Sequence, residues 1–163
     1  MKPLVPPPIV ALVAALAMWA LDRWFPLDHW LSFPLQRLGS LPAVVGFAVA
    51  SAAFMSFRRV HTTVNPLLPD KATHLVTEGV FGMTRNPMYL GLLLVLLGWA
   101  IWLGSIAPLF VLPAFWVMIT YAQIIPEEHA LGKVFGEDYA AYRRKVNRWL
   151  GRRRAQRRQG ARP

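Results

Sequence analysis

The chain contains no cysteine. That excludes a disulfide framework, a thiolate metal site and a cysteine nucleophile, and leaves the compartment unmarked by redox chemistry. Acidic residues are scarce, 8 against 18 Lys and Arg. From Asn86 to Pro126 no charged side chain occurs, a gap of 41 residues with room for two membrane crossings. No Gly-rich phosphate loop opens a helix, and no Gly-x-Ser-x-Gly is present. His29, His61, His74 and His129 lack the paired spacing of a metal set, so no metal is expected. The alternating strand and helix patterns of a soluble nucleotide-binding domain are missing as well.

What is present is apolar. The 163 residues suffice for one domain, and 55% of them are hydrophobic with a mean hydropathy of +0.37. Four charge-free runs stand out, at 3–21, 38–57, 88–103 and 106–125. Each approaches the ~20 residues that span a bilayer. Gly104 to Pro108 breaks the last two apart as a turn. The first run has a single Lys ahead of it and no clear small-x-small cleavage site, so it reads as a retained helix. The expected fold is an all-α integral membrane protein of about four transmembrane helices, the last two a tight hairpin.

Charge sets the orientation. With both ends on one side, that side collects 16 cations, and the other collects Arg23 and Arg37. The positive-inside rule then places both termini in the cytoplasm. Of the 18 Lys and Arg, 11 follow Pro126, and 7 of these fall in 148–163. Residues 151–163 read as a basic, disordered tail held near anionic membrane lipid, and 1–150 as one domain. No aromatic-interleaved basic platform accompanies the tail, so nucleic acid is not an expected partner.

After Glu127-Glu128, residues Leu131, Phe135, Tyr139 and Tyr142 share a helical face. They predict cytoplasmic amphipathic helices, with Gly136 ending one before Glu137-Asp138 start the next. The long connection 58–85 suggests an extended piece at His74 to Val76 followed by a turn. The hairpin brings Arg85 and the acidic pair to one membrane face, where ionisable groups are costly unless paired or functional. A guanidinium, two carboxylates and exposed loop backbone suit a small zwitterionic or cationic ligand.

The stretch "HLVTEGVFGMTRNPMYLG", followed by "PEEHALGKVFGEDYAAYRRKVNRWL", resembles the membrane methyltransferases of the isoprenylcysteine carboxyl methyltransferase and phospholipid methyltransferase group. The resemblance covers about 73–150 and implies S-adenosylmethionine as methyl donor, with S-adenosylhomocysteine released. By position, His74, Leu75 and Val76 would contact that cofactor. Phe81 stands where the group has Tyr. Asn86, Pro87, Met88 and Tyr89 would line the pocket, and Tyr139 and Tyr142 would close it. Glu127 would bind the cofactor through a ribose hydroxyl or the ammonium. Arg85 and Glu128 are the catalytic candidates, with Glu128 orienting or pairing with Arg85, and Glu128 or His74 serving as base for an ammonium acceptor. Isoprenylcysteine-specific relatives carry an Arg one turn before the acidic pair. Gln123 stands there in this chain, which turns the expected substrate toward a lipidic or small carboxylate, amine or thiol acceptor. The rival readings are a nicotinamide-dependent membrane reductase and an accessory membrane protein with a degenerate site.

Overall fold

The computed structural model describes residues 5–59 and 74–152. It contains α1 (Pro7–Trp24), α2 (Ser40–Arg59), α3 (Pro87–Leu103), α4 (Val111–Ile119) and α5 (Ile125–Lys145). Short 3₁₀ turns at Leu35–Gly39, Gly79–Gly82 and Ala107–Phe110 connect them, and a π-helical turn, Thr120–Ile124, joins α4 to α5. No strand occurs among the described residues.

The protein is integral to the membrane. Pro7–Trp24, Leu35–Arg59 and Ala107–Lys145 are long and apolar enough to cross a bilayer, and Pro87–Leu103 is a shorter apolar helix. Large apolar side chains face outward, among them Phe47, 72% exposed, and Val44, 67% exposed. That inversion suits a lipid solvent. With no hydrophobic drive between helices in lipid, association depends on close packing through small residues. Helices α2 and α3 meet in this way. A Cβ on Gly46 would lie 2.5 Å from the Gly91 carbonyl oxygen, and Gly39, in the turn just before α2, repeats the contact with Gly98 seven residues away. Helix α1 lies across α3, where the Trp99 indole N–H donates to the Ala15 carbonyl at 3.1 Å. Met18, Leu96, Phe115, Ile119 and Ile124 fill the core between α1, α3 and α4.

The hairpin turn forms where Gly and Pro predict it. Gly104 adopts φ 78°, ends α3, and donates its N–H to the Ala100 carbonyl at 3.2 Å. The connection from α1 to α2 closes over this turn. The Trp30 N–H donates to the Gly104 carbonyl at 3.0 Å, and the Ile106 N–H to the Asp28 carbonyl at 2.9 Å. Buried Ser105 donates its hydroxyl to Asp22 Oδ1 at 2.6 Å.

One boundary differs from the sequence expectation. The helix after the turn does not stop at Ile125, because Pro126 falls in the first turn of α5, where its missing N–H costs nothing. The stop comes at Gly136, with φ 48° and ψ −119°, which splits Ile125–Lys145 into two helical segments as its sequence position suggested. The π-turn inserts an extra residue into the helical register. In consequence Gln123 is buried while Ala122 is exposed.

Candidate functional site

At the end of the hairpin away from Gly104, the entrance of α3 meets the start of α5. Pro87 opens α3, and Asn86 before it is non-helical, with φ −129° and ψ 57°. The Thr84 hydroxyl oxygen accepts the Asn86 N–H at 3.1 Å and shapes the turn. These local bonds leave Arg85 aimed at α5. Its Nη1 lies 2.9 Å from Glu128 Oε1, with both side chains only 5% exposed. The same Nη1 reaches the Tyr139 hydroxyl at 3.5 Å. One turn into α3, Tyr89 donates its hydroxyl to Glu127 Oε2 at 2.9 Å. The adjacent glutamates therefore have different partners.

A third strand of the network comes from beyond α5. Arg148 donates from Nε to Glu128 Oε1 at 3.0 Å and from Nη2 to Oε2 at 2.8 Å, a forked contact. The Glu128 carboxylate holds the Arg148 guanidinium above its usual pKa, so it stays charged. The backbone around it is tied down as well. The Arg85 N–H donates to the Asn147 carbonyl at 3.1 Å, and the Gly151 N–H to the Met83 carbonyl at 2.8 Å. Val146 and Arg152 form an isolated bridge. Residues 146–152 thus make a clasp across the entrance of α3. Residues 153–163, most of the expected basic tail 151–163, lie outside the described residues.

Beside the network lies an open cleft of about 690 Å³. The chain from His74 to Thr77 forms one wall, and Phe135, Asp138, Tyr142 and Lys145 on one face of α5 form the other. Through Leu75, Phe135 and Tyr142 it adjoins a small aromatic core. Phe81, Tyr139 and Tyr142 are buried there, and Leu75, Val76 and Met88 pack against them. The Tyr142 hydroxyl donates to the Phe81 carbonyl at 2.7 Å, so the backbone at 81 is held whatever ring it carries. The Phe81 ring meets Phe57 edge-on at 5.0 Å.

Of the expected residues, Arg85, Glu128 and Tyr139 come together in one cluster, and Tyr89 and Glu127 in a neighbouring pair. His74, Leu75 and Tyr142 line the cleft. Gln123 joins neither group. Its Nε2 donates to the Val5 carbonyl at 2.9 Å, and its buried Oε1 has no partner among the described residues. The π-turn aims it at the start of α1. Arg148, Asp138 and Lys145 were not singled out from the sequence. Arg148 sits in a run of cations that reads as a solvated tail, and nothing in its spacing marks it.

The sequence profile of the phospholipid methyltransferase family matches residues 35–138. The chain belongs to that family. The match spans α2, α3, α4 and most of α5, and so includes Arg85, Tyr89 and both glutamates. Two relatives from Arabidopsis thaliana are named protein-S-isoprenylcysteine O-methyltransferases B and A. They are 30% and 31% identical over 122 residues, 73% of this chain. The chain spans 59% of the length of each of these two enzymes. An uncharacterized protein of Haemophilus influenzae is 44% identical over 63 residues, covering 39% of this chain and all of that protein. Both glutamates therefore lie within the segment that the family profile matches, and Arg148 lies beyond its end.

Proposed function

We propose that this protein transfers a methyl group from S-adenosylmethionine to a lipidic or small acceptor at the cytoplasmic membrane face. The observation that carries the reading is the juxtaposition of the α3 entrance with the acidic start of α5, within the segment matched by the family. Buried ionisable groups at a membrane surface are costly unless paired or functional, and here the paired cluster lies inside the family match. The charge asymmetry that favours cytoplasmic termini puts this face on the cytoplasmic side.

The residues beside the network have the chemistry to hold the cofactor. The cleft presents Phe135 and Tyr142 as apolar and aromatic surface. Asp138 suits an ammonium, and Lys145 a carboxylate. The non-helical chain from His74 to Thr77 offers backbone groups. Asn86, Pro87 and Met88 belong to the entrance that adjoins it. Glu127 Oε2 accepts the Tyr89 hydroxyl, and no other hydrogen bond to this carboxylate is found among the described residues. Its remaining acceptor capacity suits a ribose hydroxyl or ammonium. A sulfonium donor supplies an already activated methyl group, so the protein's work is positioning and water exclusion. Tyr139 and Tyr142 close the apolar side. Gln123, with its unpartnered carbonyl beside α1, would meet an acceptor entering from the bilayer.

The test is calorimetric titration of the nanodisc-embedded protein with S-adenosylmethionine. Saturable heat is expected in the wild type. Glu127→Ala should abolish it with only a modest drop in Tm, since the buried Tyr89 hydroxyl loses its partner at a cost of about 1–3 kcal/mol. Equal affinity in the variant would remove Glu127 from the site. No heat in folded wild type, with binding of a nicotinamide nucleotide instead, would replace the methyltransferase reading with a reductase.

A further inference from the structure

Glu128 has no oxygen to spare. Three guanidinium N–H groups converge on its two oxygens, one from Arg85 and two from Arg148. Two cations share one carboxylate, with the Arg85 and Glu128 side chains 5% exposed and Arg148 33% exposed. This arrangement leaves Glu128 poorly suited to be a base or a cofactor ligand, and well suited to be a clamp.

Arg148 grips both halves of the family match. Its side chain holds the acidic start of α5. Its carbonyl accepts the Thr84 hydroxyl at 3.2 Å and the Asn86 side-chain amide at 3.0 Å, at the entrance of α3. The clasp 146–152 holds Arg148 itself through the Asn147, Gly151 and Val146 backbone bonds.

We infer that Arg148 is a positioning residue of the site. Its fork orients Glu128, Glu128 orients Arg85, and Arg85 reaches Tyr139. The acidic pair is thereby divided into a clamp, Glu128, and a ligand-facing member, Glu127. This rests on the methyltransferase reading and deepens it, because it names what sets the geometry of the proposed cofactor site.

The cluster makes the inference testable without loss of the fold. Removing Arg148 leaves Arg85 and Glu128 as a neutral pair, so no buried charge is stranded. The measurement is the Kd of S-adenosylhomocysteine, by calorimetry in nanodiscs, with Tm recorded for each protein. The variants are Arg148→Gln, Arg148→Lys, Glu128→Gln and the Arg148→Gln/Glu128→Gln double. Arg148→Gln is expected to weaken binding about tenfold or more at nearly unchanged Tm, since small misplacements of a site cost that much. Arg148→Lys should recover only part, because an ammonium lacks the rigid fork. In the double variant the penalties should fall well short of additive, as for residues acting through one contact. Wild-type affinity in Arg148→Gln, full recovery with Lys, or strictly additive penalties would each overturn the positioning role. Absence of binding in the wild type would instead sink the methyltransferase reading, and this inference with it.

Discussion

The two ends of the α3–α4 hairpin are closed by different means. At the Gly104 end the chain closes on itself with backbone bonds and one neutral–charged pair, Ser105 to Asp22. At the other end, closure depends on a buried cluster of two guanidiniums and a carboxylate, bonded to a clasp 20 residues further on. Both closures join segments distant in sequence, but the first rests on a left-handed glycine, backbone groups and one hydroxyl. The second rests on buried charge, which is expensive in a partly desolvated place. The difference marks one end as scaffold and the other as site, because only the second carries a polarity that folding alone did not require.

Substitutions can break this contrast, and the largest effect is expected at the charged end. Glu128→Ala strands Arg85 without its counter-ion and should cost about 3–5 kcal/mol, read as a large drop in Tm in nanodiscs. A drop no bigger than that of an exposed pair would mean that water reaches the cluster. Next comes the helix contact that supports both ends. Gly91→Leu must push apart a contact in which even a Cβ would sit 2.6 Å from the Gly46 carbonyl. About 1–3 kcal/mol of overpacking is expected, with α2 displaced, and disulfide trapping between cysteines introduced on α2 and α3 would report it. The smallest effect belongs to the scaffold end. Ser105→Ala leaves the Asp22 carboxylate one donor short and should cost about 1–2 kcal/mol. The Kd for S-adenosylhomocysteine should stay at the wild-type value, since the change lies at the far end of the hairpin. A weakened Kd would show that the two ends are coupled and would dissolve the distinction.

Much of this was legible beforehand. The four apolar runs became helices, the Gly104 turn fell where Gly and Pro sit, and Gly136 interrupted α5. Arg85 and the acidic pair met at one face, since a hairpin of known length leaves them little choice. The continuity through Pro126 was not legible, because a proline in a first helical turn and a proline that ends a helix look alike in sequence. The π-turn, and with it the burial of Gln123 in place of Ala122, left no local signal. Arg148 was hidden among cations of the same appearance. Residues 60–73, with Lys71, lie outside the described residues.

The sequence by itself determined the membrane class, the hairpin, the family and the pair of motifs that face each other. Those follow from hydropathy, from Gly and Pro conformational limits and from residue order, all of which act locally. Tertiary structure alone decided which glutamate meets which partner, and which of many arginines enters the site. Adjacent side chains on a helix point in directions about 100° apart, so Glu127 faces Tyr89 while Glu128 faces Arg85. A cation is drawn into the site by the backbone that carries it there, and the clasp carries Arg148.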